Sequence, residues 1–298
     1  MSVLQKETKD AAKKENTFDD AKIVVQNISR VFHVRSTNTI APEDFVAIKD
    51  VNFKVRKGEF LAIVGPSGCG KSTLLDMIAG LAKQSSGELY IDGKLITGPA
   101  LDRGIVLQGY ALFPWRTVRR NVEFGLEIKG IRKNERADIS QNFINLVGLK
   151  GFEDRYPYEL SGGMKQRVAI ARALAYDPEV LLMDEPFAAV DAQTREVLQD
   201  ELLRIWEETH KTIIFVTHSI DEAVFLADRV AVMTVNPGTV KEIVDITLPR
   251  PRNGIRSSPE FGWIRHKVSE LLQNGNDQEK SRASDQDVAE KISPSVEL

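Results

Sequence analysis

Three stretches of the sequence place residue types at spacings suited to one chemistry, the binding and cleavage of phosphates. Gly65-Pro66-Ser67-Gly68-Cys69-Gly70-Lys71-Ser72-Thr73 fits the pattern G-x-x-x-x-G-K-[ST]. Its glycines let successive backbone N–H groups turn inward around a phosphate, Lys71 can neutralise β and γ oxygens, and Ser72 can ligate Mg2+. An apolar run, Phe60 to Val64, precedes it, and Leu74, Leu75, Ile78 and Leu81 follow at helical spacing, so the loop meets a positive helix end. A plain glycine-rich strand-to-helix turn is the alternative, and the strand before with the helix after favours the nucleotide.

Val180-Leu-Leu-Met-Asp184-Glu185-Pro186 puts two acids at the exit of another apolar run. Asp184 suits a Mg2+ water shell, and Glu185 could polarise the water that attacks a γ-phosphate. Taken alone, two acids at a strand end are merely solvated. Leu160-Ser161-Gly162-Gly163-Met164-Lys165-Gln166-Arg167 is the most specific stretch. Ser161 is a good N-cap for a helix whose buried face is Val168, Ala171 and Leu174. The same helix start, with Ser and two Gly, is also an anion-binding surface.

These groups need elements to hold them. Ile23 and Val25, then Val51, Phe53 and Val55, alternate with polar residues as half-buried antiparallel strands do. Leu89 and Ile91 continue the pattern up to the hairpin signal Asp92-Gly93. Phe60 to Val64, Val180 to Met183 and Ile213 to Val216 are continuously apolar, which suits a buried parallel sheet. Between about Val118 and Ala175 helical spacing takes over, with Ile139, Phe143, Leu146 and Val147 on one face. A late helix after Pro259 carries Phe261, Ile264, Val268 and Leu271, and Pro249 to Pro259 reads as an extended linker.

Composition narrows the classes. With 298 residues, 42% hydrophobic, a sizeable core is possible, and the single cysteine excludes an intrachain disulfide and favours a reducing compartment. The first 20 residues are polar and without an apolar run, so no signal peptide is expected, and no apolar stretch approaches the roughly 18 residues of a membrane span. The net charge of −3 lies in the tail: from Gln273 to Leu298 six acids face three bases, leaving 37 of each elsewhere. A balanced body argues against a nucleic-acid platform.

Taken together the motifs resemble the ATPase subunit of an ATP-binding cassette (ABC) transporter, over roughly Lys22 to Leu272. The resemblance implies an α/β fold: a RecA-like phosphate-loop core with an antiparallel β subdomain and an inserted α-helical subdomain. The expected boundaries are a polar tail over 1–20, the ATPase domain over 21–273 with its helical subdomain at about 109–175, and an acidic tail over 274–298. It implies ATP and Mg2+ held between two head-to-tail copies. Residues 65–73 would hold the ATP, Ser161, Gly162 and Gly163 would reach the γ-phosphate of the other copy, and Gln166 and Asp191 would join the nucleotide contacts. Gln108, ending the strand Ile105 to Leu107, matches the glutamine that touches Mg2+, or is a surface residue. His218, after Thr212 to Thr217, matches the switch histidine that grips γ-phosphate and positions Glu185. Phe32 is the candidate for stacking on adenine, with Phe45 competing and an ordinary core role open for either.

Two departures from the family pattern stand out: Ala188-Ala-Val-Asp191 lacks the usual serine, and Gly109-Tyr110 follows the glutamine. Phe113 and Trp115 either line a groove for a permease helix or belong to the helical subdomain's own core. Cys69 is expected beside the phosphates, where alkylation would block nucleotide. Phe113-Pro114-Trp115, Cys69, Phe187 to Arg195 and the Pro249 to Phe261 ending together resemble the nitrate, sulfonate and taurine importer branch. That implies transmembrane permease subunits, an indirect extracytoplasmic solute-binding protein, and a peripheral place on the cytoplasmic face of the bacterial inner membrane. The chain ends about 25 residues after its last helix, too soon for the β-rich regulatory domain of sugar-importer relatives. A soluble ABC ATPase acting on nucleic acid or ribosomes is the main rival, and an importer of another small solute the lesser one.

Overall fold

The computed structural model describes residues 20–34, 43–252 and 254–273. The chain runs β1 (Ala21–Val34), β2 (Glu43–Arg56), β3 (Phe60–Val64), α1 (Lys71–Ala79), β4 (Ser86–Ile91), β5 (Lys94–Leu95) and β6 (Arg103–Val106). Four helices follow: α2 (Val118–Val122), α3 (Phe124–Ile128), α4 (Lys133–Leu146) and α5 (Gly162–Ala175). Then come β7 (Val180–Asp184), α6 (Ala192–Thr209), β8 (Thr212–Thr217), α7 (Ile220–Leu226), β9 (Arg229–Thr234), β10 (Thr239–Asp245) and a last helix α8 over 259–273. The expectations for residues 1–19 and 274–298 lie outside the described residues.

The alternating segments pair as their pattern requires. β1 lies between β2 and β4 in an antiparallel sheet of order β2-β1-β4-β5, with Ile23 opposite Val55 and Ile91, and Val25 opposite Phe53 and Leu89, so one apolar face forms. The continuous runs make the second sheet, of order β10-β9-β3-β8-β7-β6, parallel except for the antiparallel edge β10. The central strands β3, β7 and β8 are apolar along their length because each serves two cores. Phe60, Ala62 and Val64 of β3 enter a core shared with α5 to α8, whereas Leu61 and Ile63 enter one shared with α1 and the antiparallel sheet. All five are fully buried, each contributing about 1.5–3 kcal/mol as a large side chain and less as Ala62.

No strand interrupts residues 118–175. Asn121, fully buried, fastens the approach to these helices: its amide donates to the carbonyls of Phe113, Arg116 and Thr117 and accepts from Phe113 N–H. Arg172 of α5 clamps the segment after β6, donating to the carbonyls of Tyr110 (3.0 Å) and Ala111 (2.6 Å).

One sequence reading is corrected. Pro249 to Pro259 is not a free extended linker, for it includes a helical turn at Ile255–Ser257 and a docked arginine. Arg252 is buried and donates to the carbonyls of Val224, Phe225 and Ala227, closing the C-terminal end of α7. Burial lowers its guanidinium to about 10. The late helix is as the spacing predicts, with Phe261, Ile264 and Val268 buried and Leu271 packed beside them.

Candidate active site

The C-terminal ends of the parallel strands gather the candidate residues. Leaving β3, residues 65–70 turn back over the strand end and α1 begins at Lys71. Gly70 caps that helix at φ +91° with the Ile48 side chain only 2.7 Å from where a Cβ would stand, so any other residue is both strained and obstructed. A second glycine, Gly238, braces the loop from outside. It donates to Ala47, accepts from Lys49, and leaves room for the Cys69 carbonyl, which a Cβ would approach to 2.0 Å.

A cavity of about 300 Å3 opens above this loop. Ser67, Gly68 and Gly70 to Thr73 border it, Glu185 stands on another side, and Phe32, Phe45 and Ala47 of the antiparallel sheet form a wall. Phe32 and Phe45 are cross-strand neighbours, 37% and 50% exposed, so neither is an ordinary core residue and both face the space expected to take a base. The Arg30 guanidinium lies 4.6 Å over the Phe32 ring.

Lys71 is buried, its ammonium donating to the carbonyls of Gly65 (2.8 Å) and Pro66 (3.0 Å). Ser72 donates through its hydroxyl to Asp184 at 3.1 Å. Burial raises the Asp184 carboxyl above its ordinary value, the Ser72 bond opposing, with Glu185 and Asp76 adding to the rise and Lys71 countering it. A hydroxyl and a carboxylate side by side, beside a phosphate cradle, fit a hard cation that takes most of its ligands from water and phosphate. No group of three or more His, Cys, Asp or Glu among the described residues would hold a metal by itself.

Glu185 sits in the left-handed region, φ +43°, immediately after β7, with its N–H bonded to Val216 of β8. A non-glycine residue held there is strained, and the neighbouring strand fixes it. His218, at the exit of β8, approaches Glu185 Oε2 with Nδ1 at 3.1 Å. Sequence pattern thus assigns Lys71, Ser72, Asp184, Glu185 and His218 to a single place, and the fold brings them there.

The remaining candidates lie elsewhere on the same face or inside. Gln108 is exposed after β6 and does not border the cavity. Ser161 caps α5, accepting from Met164 N–H at 3.3 Å, and Gly162 and Gly163 open that helix, with the Tyr110 hydroxyl 3.1 Å from where a Cβ on Gly162 would stand and Thr194 Cγ2 2.6 Å from one on Gly163. Gln166, one turn further, is wholly buried, and neither polar atom of its amide has a hydrogen-bond partner among the described residues. Asp191 caps α6, and the Thr194 N–H holds its carboxyl below the ordinary carboxylate range. Cys69 turns its thiol into the core, 3.9 Å from the Lys71 ammonium, and burial pushes the thiol up. The alkylation expected from sequence is therefore slow in the folded chain. Phe113 packs on Phe124 at 4.6 Å, and Trp115, whose ring lies 5.8 Å from that of Phe113, is 72% exposed.

Sequence reasoning missed Thr217, Arg195 and Glu222, which stand behind His218. It also missed the Tyr110 hydroxyl, 3.5 Å from the Ala189 carbonyl. Their only signal was position: Arg195 four residues beyond Asp191, and Glu222 four beyond His218.

Residues 48–188 match the family model described as ABC transporter. An ABC transporter ATP-binding protein of Methanocaldococcus jannaschii, MJ0412, is 55% identical over 253 residues, 85% of this chain and 92% of that one. The chain belongs to the ABC transporter ATP-binding family. As an ABC ATPase it also resembles the nitrate import ATP-binding protein NrtD of Synechocystis, 49% identical over 80% of this chain and 92% of that one. The aliphatic sulfonates import ATP-binding protein SsuB of Bacillus cereus is 44% identical over 85% and 96%. Among solved structures, the ATP-binding cassette MJ0796, dimeric and bound to ADP and Pi, superposes with a TM-score of 0.66 at 33% identity, over 76% of this chain and all of that one. ABC ATPases bind ATP and hydrolyse it to power transport. No helix among the described residues is long and apolar enough to cross a membrane.

Proposed function

We propose that this ATPase powers an importer of a small oxyanion, such as nitrate, a sulfonate or taurine, from the cytoplasmic face of a bacterial inner membrane. The observation that carries the reading is the set of relatives: nitrate and aliphatic sulfonate import proteins match nearly their full length here. Permease subunits then supply the membrane path, and an extracytoplasmic solute-binding protein delivers the cargo.

ATP closes two copies head to tail, with residues 65–73 of one copy opposite Ser161, Gly162 and Gly163 of the other. Phe32 and Phe45 border the base, and Lys71 turns from the Gly65 and Pro66 carbonyls toward the β and γ oxygens. Ser72, Asp184 and Gln108 would hold Mg2+, which offsets the charge developing on the phosphates. Glu185 orients and polarises the attacking water, and His218 holds Glu185 while its ring reaches toward the γ-phosphate. Asp191 and Gln166 stand on the face and in the helix that meet the other copy. Trp115 offers the permease an apolar anchor.

The test is reconstitution of the copurified complex in vesicles with liganded binding proteins. Nitrate, taurine or alkanesulfonate should stimulate ATP turnover. Stimulation by none of them would remove the cargo assignment, and copurification of nucleic acid in place of a permease would remove the importer.

A further inference from the structure

We propose that Arg195 and Glu222 form an internal bridge that fixes the geometry of His218 from the loop 187–191, making both of them positioning residues for hydrolysis. The proposal rests on the reading that Glu185 and His218 carry the chemistry. Arg195 lies in the first turn of α6, and its Nη2 donates to the carbonyl of Val190 at 2.9 Å, so the guanidinium is fastened to that loop. Its Nε, buried without a hydrogen-bond partner, stands 3.7 Å from Oε1 of Glu222 in α7. Glu222 has a side chain only 8% exposed. A carboxylate this enclosed needs a cation or a proton, and Arg195 is the cation the fold supplies.

The other carboxylate oxygen of Glu222 holds Thr217, the residue before His218. Oε2 accepts the Thr217 hydroxyl at 2.5 Å, and that same hydroxyl oxygen accepts the N–H of Ser219 at 3.0 Å. Ser219 in turn accepts the N–H of Glu222 at 3.3 Å and caps α7. His218 therefore sits at the apex of a turn whose two flanks are both tied to Glu222, 3.1 Å from Glu185. The backbone that carries His218 cannot shift without loosening Thr217 or Ser219. A 3.7 Å charge contact is also just beyond hydrogen-bond range, so a loop shift of under about 1 Å makes or breaks a full bond there. The loop ending at Asp191 thus sets how firmly His218 is held.

A purely structural bridge and a positioning bridge differ in kinetics. Steady-state Mg-ATP hydrolysis is measured on the full chain for Arg195→Met, Glu222→Gln and His218→Ala, and for each bridge variant combined with His218→Ala. Each bridge variant should lower kcat about tenfold or more with KM for ATP within about twofold, because a displacement of about 1 Å at a reacting group costs rate far more than binding. Neither should lower the residual turnover of His218→Ala further. If Arg195→Met does not fold, Glu222→Gln carries the test, since its amide oxygen still accepts from Thr217 and only the anion is lost. The proposal is overturned by unchanged kcat in the folded variants, or by a penalty that persists in full without His218. Wild-type turnover by His218→Ala itself would instead overturn the site reading and take the bridge with it.

Discussion

The parallel-sheet side and the helices of residues 118–175 share an apolar core and differ in the polar contacts laid over it. On the sheet side the functional groups rest on strands buried on both faces, and each polar atom that matters has a close neighbour: Lys71 on two carbonyls, Ser72 on Asp184, Glu185 on Val216. The helical side shares the sheet's apolar core, which Val118, Val122, Leu126, Val168 and Leu174 enter beside Phe60 and Met183, and adds polar clamps, Arg172 on residues 110 and 111 and the Tyr110 hydroxyl near Ala189. It also contains Gln166, an interior amide. The difference lies in the polar contacts laid over that shared core, paired at the phosphate loop and unpaired among the described residues at Gln166.

Lys71→Ala would break the contrast most severely. Nucleotide affinity should fall by about a hundredfold or more on loss of a buried charge-assisted contact, as calorimetry would show. Arg172→Met should act on stability and not on binding. Removing the clamp should cost about 2–3 kcal/mol, lowering Tm by roughly 5–10 °C, and leave ATP affinity within about twofold. An unchanged Tm would mean that the clamp contributes nothing. Gln166→Leu sharpens the point, since replacing an orphaned amide by an apolar group of similar size should raise Tm by about 2–4 °C, roughly 1 kcal/mol. A fall in Tm would show that the amide is satisfied in solution.

The smallest effect concerns Asp184. Burial raises its carboxyl, so the folded chain binds that proton more tightly than the unfolded chain does. The charged form is therefore the less stable folded form, and without nucleotide Asp184→Asn should melt slightly higher than wild type. The gap should open as pH rises through the carboxyl's folded value and close in acid. Melting curves across that range check the sign.

What the sequence reveals follows from how local the forces are. β3, β7 and β8 are legible because a strand buried on both faces must be apolar throughout, and each ends in a recognisable motif. β9 satisfies the same rule through Val230 to Met233, yet no motif follows it to draw notice. Arg195 with Glu222, and Arg172 with Tyr110, are polar contacts between residues far apart in the chain, and no period in the sequence encodes them. The direction of the Cys69 thiol is likewise a property of the loop's turn, since a cysteine among glycines reads the same whether it faces phosphate or core. The Pro249 to Pro259 stretch was misread because Arg252 is buried by three helix-end carbonyls, which composition does not announce.

The central claim is that Glu185 activates the water that cleaves ATP between two closed copies. Steady-state ATPase and size-exclusion in ATP, on Glu185→Gln beside wild type, test it most directly. Turnover should fall about a hundredfold or more with ATP binding retained, and the variant should shift from monomer to dimer. Wild-type turnover in Glu185→Gln would contradict the account.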